Sequence, residues 1–490
     1  MKLRLSIQTI KENSFYRYSI LGAIVGLLSL IWLSNQSMSN VLVLIEVIIL
    51  IMFMICRQYS SFLALFIMVT ALSINLSTYA GVKEFYGWNT VKFFRVDLAT
   101  WILVLFALTS FIFKKPKVCN AGISFWRFTK HFLVICLIGV VVGLLSIAFN
   151  DNNITNIDNY WTQYFAVVYI MAVYPLLIIY TTYYCKTREP ESFYKVKASI
   201  IGVFAGCSAQ AIYSLLTSTV INYAGVEGIG LAVSHIYFYI PLALCFFFYT
   251  RLNEGKLYLP VLVLISVGVL ITITNNVNGK VLLFTLFIPI VWCALASQAR
   301  AKTTILIAII ASLVGVAMVV SSSTASQNYL LSRKSKSLIS LFSIFTENWL
   351  GNMQASPQFR VTEFLNICIE IIKKPWYLLT GKGYLGSIVD HLGMFRRIGG
   401  EFSDYQWNNG TFYFLHESLN LLLLNNGLIG LWLWIRSFGF TIRNYKKSFF
   451  VLFGGIWFCV NYGYSVAITT VGMTAFIIGL MDINPVQNIK

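Results

Sequence analysis

The chain has 490 residues, of which 58% are hydrophobic and only 11% charged, and its mean hydropathy is +0.75. Soluble domains carry roughly a quarter of their residues as charges, so this composition excludes a water-soluble globule. The net charge of +18 does not indicate nucleic-acid binding, because the Lys and Arg residues fall mainly between apolar runs and form no basic patch on a soluble domain.

Apolar runs recur along the chain, and most are long enough for a helix to cross a bilayer, which takes about 20 residues. Strands of a membrane barrel would be shorter and would alternate in polarity. We therefore predict an all-α, polytopic transmembrane helical bundle of about 14 spans. The predicted spans lie near 18–34, 40–56, 60–78, 97–113, 132–149, 164–184, 198–219, 228–250, 257–274, 279–297, 303–320, 415–436, 447–463 and 465–481.

Charge in the connecting segments predicts the orientation of the bundle. Segments 114–130 and 185–197 are rich in Lys and Arg, whereas segments 34–39 and 150–163 contain neither. This alternation predicts that the basic segments and both termini lie in the cytoplasm. Segment 79–96 breaks the pattern with three basic residues. Either these residues have a function, or the early spans are miscounted.

The longest connection between predicted spans divides the chain into three parts. We expect about 11 spans over 1–320, an extracytoplasmic loop over 321–414 and about three further spans over 415–490. Apolar residues at three- and four-residue spacing predict an amphipathic helix over 358–374. That helix can lie on the membrane surface or against other helices. A second loop helix is expected over 384–395.

Three residues are candidates for chemistry at the outer face. His416 stands where the loop re-enters the membrane, and a neutral imidazole there can take a proton from a hydroxyl. Arg360 stands in the first turn of the predicted loop helix, where free N–H groups and a guanidinium suit a phosphate. Lys280 opens a span from the outside and offers a point charge to a phosphate. The ordinary alternatives are an interfacial histidine, a solvated arginine and a snorkelling lysine.

Other loop residues are candidates for substrate binding. Arg396 and Arg397 can bind head groups or anionic sugars, and Tyr384 can stack on a sugar ring, although aromatic residues also anchor proteins at membrane interfaces. Glu417 can orient the His416 imidazole or simply favour the first turn of its helix. The sequence contains no nucleotide-binding or metal-binding motif, so we expect no cofactor and no metal.

The order of three motifs resembles a known family. NNVNGKVLLFTL opens a span, FRVTEFLNICIEIIKKPWYLLTGKGYLG joins an arginine-headed helix to Pro and Gly-x-Gly, and LHESLNLLLLNNGLIGLW places a histidine ahead of Gly-Leu-Ile-Gly. This set resembles the superfamily of O-antigen polymerases and O-antigen ligases, which are bacterial envelope glycosyltransferases. The resemblance covers 270–436 by motif and the rest by topology. Lys280 stands where the family usually has an arginine, and Glu417 where it usually has an asparagine.

The resemblance implies a polysaccharide repeat-unit polymerase of the bacterial inner membrane. Such an enzyme transfers a glycan from undecaprenyl diphosphate to the acceptor sugar of another lipid-linked glycan, with inversion and without a metal. Arg360 and Lys280 would stabilise the diphosphate, and His416 would activate the acceptor hydroxyl. Expected partners are lipid-linked glycans, membrane lipids and a chain-length regulator protein. The alternatives are a ligase that transfers glycan to lipid A–core, a polysaccharide flippase and a non-catalytic membrane scaffold.

Overall fold

The computed structural model describes residues 2–32, 35–73, 88, 91–94, 96–113, 123–149, 160–217, 350, 355–395, 402, 404–413, 415 and 417–445. These residues are mostly helical. Six helices are long and apolar enough to cross a membrane: Ser14–Ile31, Ser37–Ile55, Arg127–Ala148, Trp161–Arg188, Tyr194–Tyr213 and Ser418–Ser437. Two shorter apolar helices span Tyr59–Leu72 and Leu98–Ile112.

The prediction of a helical protein with several membrane spans is therefore confirmed in this coarse form. Each predicted span that falls on described residues coincides with an apolar helix. The predicted spans between 228 and 320, those beyond 447 and the first part of the large loop lie outside the described residues.

The described helices follow one another along the chain, and a small hairpin that the all-α prediction omitted precedes the fourth. They are α1 (Lys2–Ile31), α2 (Gln36–Ile55), α3 (Tyr59–Leu72), α4 (Leu98–Phe113), α5 (Ile123–Ala148), α6 (Tyr160–Val168), α7 (Tyr174–Arg188), α8 (Tyr194–Thr217), α9 (Ala355–Lys373), α10 (Tyr377–Thr380), α11 (Asp404–Asn409) and α12 (Ser418–Tyr445). The π-helical turn Tyr169–Val173 joins α6 to α7. The hairpin pairs β1 (Lys92–Phe93) antiparallel with β2 (Val96–Asp97).

Helices α1 and α8 pack in parallel through glycines. Gly22 faces Gly202 and Gly26 faces Gly206, so each helix contributes two glycines four residues apart. A Cβ on Gly22 would lie 1.9 Å from the Gly202 carbonyl oxygen, which shows that the backbones touch. Small residues at this spacing let membrane helices approach closely. The buried Gln210 Nε2 adds hydrogen bonds to carbonyls of α1 and α3 at 3.0 and 3.1 Å.

Two acidic residues, Glu46 and Asp97, contact residues of segment 79–96. Glu46 lies inside an apolar run, is buried, and accepts a hydrogen bond at 2.5 Å from Trp88 Nε1. Lys92, one of the basic residues that break the predicted charge pattern, lies 3.9 Å from Asp97 across the hairpin. Because Lys92 has this partner, its position does not by itself require a function.

Helices α5 and α12 run antiparallel, and contacts along their length fix the register between them. His131 Nδ1 lies 2.8 Å from Ser437 Oγ at one end of the pair. Towards the middle, Asn426 Nδ2 donates a hydrogen bond to the Ile135 carbonyl at 2.7 Å. Helix α12 is broken at Gly427, whose φ is +61°. The pair therefore has one end near Ser437 and another near the start of α12.

The structure confirms one of the two helices predicted for the loop and corrects the other. Helix α9 matches the predicted 358–374 and ends at Lys373. Residues 384–395, in contrast, form turns and a single bridge between Ile388 and Phe412 instead of a helix. The physical reason is that Leu385 and Gly393, within this segment, have φ values of +63° and +63°. A right-handed helix cannot contain that backbone geometry.

The α1–α8 contact predicts a specific intolerance to side chains. We expect Gly22→Leu to lower the thermal midpoint of the detergent-solubilised protein, because its side chain meets the backbone of α8 and overpacking costs about 1–3 kcal/mol. Ile24→Leu is the control, since Ile24 is 49% exposed on the same helix. Equal thermal midpoints for the two variants would contradict the close parallel contact.

Candidate functional site

Helix α9 buries a polar face. Gln358, Thr362, Glu363 and Asn366 are each at most 2% exposed, together with two apolar residues on the same side. The predicted apolar stripe lies on the other side, where Phe364 is 45% exposed. Buried polar groups need hydrogen-bond partners. The α9 face that points into the protein is therefore a surface built for polar contacts.

The first turns of α9 are tied to the start of α12. Arg360 Nε lies 2.8 Å from Glu417 Oε1, and the two side chains are 29% and 34% exposed. The Nε–H does not point at the carboxylate, so the contact is an ion pair and not a hydrogen bond. Asn420 Nδ2 donates to the Arg360 carbonyl at 2.9 Å and to Glu363 Oε2 at 3.2 Å. Since a partly exposed ion pair contributes about 0–1 kcal/mol, this pair positions the guanidinium more than it stabilises the fold.

A buried cation from the following loop contacts the same polar face nearer the end of α9. The Lys382 side chain is 6% exposed, and its Nζ lies 2.9 Å from Glu370 Oε2. It also donates to the Ser387 carbonyl at 2.8 Å and lies 5.2 Å from the centre of the Tyr377 ring. The second Glu370 oxygen, Oε1, lies 2.5 Å from His391 Nε2. Glu370 therefore joins α9 to two separate points of the following loop.

The environment of Glu370 favours its ionised form. Burial alone would raise the pKa of this carboxyl group, but the Lys382 ammonium and the hydrogen bonds from Lys382 and His391 outweigh burial, so the pKa lies below its usual value. An amine as deeply buried as Lys382 needs an ionised partner, since an uncompensated buried charge is strongly unfavourable. The carboxylate supplies that partner.

Residues 381–388 form a buried loop that inserts between α5 and α12. The N–H groups of Lys382 and Gly383 donate to the carbonyls of Leu424 and Asn425 at 2.6 and 3.0 Å, and the Tyr384 N–H donates to the Gly139 carbonyl at 2.7 Å. The Ser146 hydroxyl donates to the Lys382 carbonyl at 3.0 Å. All eight residues of the loop are buried.

Two glycines make this insertion possible. Gly381 and Gly383 have φ values of +66° and +77°, which favour glycine. A Cβ on Gly383 would lie 1.9 Å from the Gly143 backbone nitrogen. On the facing helix, a Cβ on Gly427 would lie 2.5 Å from the Leu379 carbonyl oxygen. The loop therefore rests on bare backbone from both neighbouring helices.

A second polar contact and an aromatic cluster hold the end of the loop. Asn366 accepts a hydrogen bond from the His391 N–H at 3.0 Å and donates to Asp390 Oδ1 at 3.3 Å. Neighbouring ring centres in the aromatic cluster lie 4.6–5.9 Å apart; its members are Phe359, Phe395, Phe402, Trp407 and Phe412. Tyr413 Oη donates to Gln163 Oε1 at 2.8 Å, which links the loop to α6. Burial raises the pKa of Tyr413 to about 12, so its phenol stays neutral.

Besides Arg360 Nε, three buried polar atoms near this face have no hydrogen-bond partner among the described residues. They are Gln358 Nε2, Thr362 Oγ1 and Asn425 Oδ1. Unsatisfied buried polar atoms are rare in native proteins and call for an explanation. They provide an amide donor, an amide acceptor and a hydroxyl that can donate or accept, which water or a polar ligand can use.

The structure places three of the seven predicted site residues. Arg360 and Glu417 are brought together, and the Glu417 carboxylate contacts Arg360. The Tyr384 side chain is fully buried against Gly139, so none of its surface is available for stacking on a sugar. His416, Lys280, Arg396 and Arg397 lie outside the described residues.

Sequence reasoning missed the buried charges of the site. Lys382 lies between the two glycines of the quoted Gly-x-Gly motif, and Glu370 lies one turn before the end of the predicted helix. Neither signal shows that a charge is buried, because burial depends on the partner segment. Asn420 was missed for the same reason. In the described part of the chain, no group of three or more His, Cys, Asp or Glu side chains has a metal-binding arrangement.

No protein-family model, no curated protein and no solved structure matches this chain.

Breaking the buried pair should cost more than breaking an exposed one. We expect Lys382→Ala to lower the free energy of unfolding by about 3–5 kcal/mol, because it leaves Glu370 without its principal cation. Lys92→Ala is the control: its side chain is 53% exposed in a pair with Asp97, and such pairs contribute about 0–1 kcal/mol. Denaturation in detergent measures both. Similar losses from the two variants would show that Lys382 is not held as described.

The lowered pKa of Glu370 predicts an acid-sensitive stabilisation. A carboxyl group whose pKa is lower in the folded state stabilises the fold above its unfolded pKa, about 4.3, and loses that contribution as pH falls through the folded pKa. We expect the thermal midpoint of the wild type to be higher than that of Glu370→Gln at pH 7. This difference in thermal midpoint should disappear below a pH of about 4. A gap that stays constant down to acid pH would mean that the charge of Glu370 does not stabilise the fold.

Proposed function

We propose that this protein is a polysaccharide repeat-unit polymerase that transfers a glycan from undecaprenyl diphosphate to the acceptor sugar of a second lipid-linked glycan. One observation carries the proposal: Arg360, in the second turn of α9, is paired at 2.8 Å with Glu417, the residue next to His416 in the chain. This contact supports the proposal because Arg360 is the expected phosphate ligand and Glu417 directly follows His416, the expected base, in the sequence.

The charge distribution of the helices supports an extracytoplasmic position for this site. Arg127, Lys130 and Arg436 lie at the end of α5 and α12 marked by the His131–Ser437 contact. The Arg360–Glu417 pair lies at the opposite end, at the start of α12. Since positive charge concentrates on the cytoplasmic side, the site faces outward in the proposed orientation.

The wider topology is part of the same proposal. The chain would cross the inner membrane about 14 times, with both termini in the cytoplasm and residues 321–414 as the large extracytoplasmic loop. A chain-length regulator would be its protein partner. The described helices support the spans up to 217 and the one that begins at Ser418.

In the proposed reaction, the acceptor hydroxyl oxygen attacks the anomeric carbon of the donor glycan, and the bond from that carbon to the diphosphate oxygen breaks. The hydroxyl proton passes to the imidazole of His416. Negative charge develops on the undecaprenyl diphosphate leaving group, where Arg360 and Lys280 would stabilise it. Fixed charges aimed at such developing charge often contribute the largest share of a rate enhancement. Attack opposite the leaving group inverts the anomeric centre.

The Arg360–Glu417 contact has a defined part in this mechanism. It engages the inner nitrogen, Nε, of a guanidinium that has five N–H donors in a planar fork. The carboxylate can therefore hold the side chain in place while the fork binds a phosphate. Arg396 and Arg397 would bind the sugar or head groups.

Loss of either principal residue should abolish long polymer. In a deletion strain complemented with the gene, we expect Arg360→Ala and His416→Ala to reduce polymerisation by about 10²–10³-fold, which leaves single-repeat products on a carbohydrate gel. Arg17→Ala is the matched control, because Arg17 is exposed on α1, away from the site.

The same gel separates the alternatives. A ligase defect would leave no glycan on lipid A–core, and a flippase defect would retain lipid-linked repeats in the cytoplasmic leaflet. Long polymer of normal length from His416→Ala would remove this residue from the mechanism, and mass spectrometry of lipid-linked glycans checks the products directly.

A further inference from the structure

Helix α9 and the short helix α10 expose apolar side chains while α9 buries its polar ones. Ile372 is 77% exposed, Trp376 56% and Leu379 55%, and Phe364 continues the same patch towards the start of α9. A helix that faces water shows the reverse arrangement, with its polar side outward. The outward face of this segment is therefore suited to an apolar solvent.

Contacts with two membrane-length helices fix the depth of this segment. The Leu379 carbonyl lies against Gly427, nine residues after Ser418, where the candidate span on α12 begins. The Tyr384 N–H bonds to Gly139, nine residues before Ala148, where the span on α5 ends. At 1.5 Å per residue both contacts lie about 13 Å along a helix from its outer end. The hydrocarbon core is roughly 30 Å thick, so a bilayer whose outer boundary lies at these helix ends would place α10 within one leaflet.

Backbone burial agrees with this depth. Non-helical backbone at membrane depth is tolerated only where it is covered by protein. Residues 381–388 meet that condition because all of them are buried. The exposed apolar residues of the patch belong instead to α9, α10 and the short turn between them, and Trp376 in that turn is a residue type that anchors proteins at a membrane interface.

We propose that α9 and α10 face the lipid of the outer leaflet, with α9 running from the start of α12 towards the deeper α10, and that Phe364, Ile372, Trp376 and Leu379 contact phospholipid acyl chains. On α12, Leu419 is likewise an exposed apolar residue, with 58% of its surface accessible. This placement holds whatever reaction the site performs. It puts the polar face of α9 between the lipid and the interior of the protein.

Site-specific photocrosslinking tests this placement in the full-length protein. Two variants carry the photoreactive residue, Phe364→p-benzoyl-phenylalanine and Ile372→p-benzoyl-phenylalanine. Each variant is reconstituted into vesicles of phosphatidylethanolamine and phosphatidylglycerol, irradiated and analysed by peptide mass spectrometry. Asn409→p-benzoyl-phenylalanine is the control, because Asn409 is exposed on α11, a polar helix of the same loop. We expect phospholipid adducts at 364 and 372 and none at 409.

Two results would overturn the proposal. Adducts at 364 and 372 with a second copy of the chain or with another part of it would mean that protein covers the patch. Absence of phospholipid adducts at both positions, in variants that elute as monodisperse protein from size exclusion, would mean that the patch faces water. The Phe364 substitution keeps a phenylalanine framework and guards against loss of folding. Because no turnover is needed, the outcome is independent of whether the protein is a polymerase.

Discussion

The structure of the site depends on the hydrogen bonds that the backbone of residues 381–386 makes beside two membrane-length helices. A bilayer offers no hydrogen bonds, so a chain that leaves helical geometry there must find its partners within the protein. Helix α12 supplies two of these partners because it breaks at Gly427, which frees the carbonyls of Leu424 and Asn425 from their usual helical acceptor role. The loop donates to those carbonyls. A single break in a membrane-length helix thus provides the hydrogen-bond acceptors for the inserted loop.

The insertion has an electrostatic consequence for α9. It carries Lys382 into a buried position, and a buried ammonium needs an ionised partner at close range. Glu370 supplies the carboxylate from the polar face of α9, and its other oxygen contacts His391. The orientation of α9 is therefore coupled to the loop. Turning its polar face away would leave two charges without partners, so the apolar stripe must point outward.

This orientation places Arg360 beside the start of α12. With its polar face inward, α9 presents Arg360 to the start of α12, where Glu417 and Asn420 meet it. A reaction between two lipid-linked glycans needs polar groups for the sugars and diphosphates next to an apolar surface for the lipid tails. Helix α9 has both kinds of surface, a buried polar face and an exposed apolar face. Gln358 and Thr362, whose polar groups have no partner among the residues that the structure describes, lie on its inner face two positions from Arg360.

The sequence by itself determined the helical membrane class, because long apolar runs with so few charges leave the backbone no other way to satisfy its hydrogen bonds in lipid. Periodicity also predicted α9, and Lys373 with Pro375 predicted its end. Only the tertiary structure decided which face of α9 is buried, that 384–395 is a loop, that Tyr384 is enclosed, and that Lys382 pairs with Glu370. These features arise from contacts between segments far apart in the chain, and local propensity and spacing contain no information about which segments will meet.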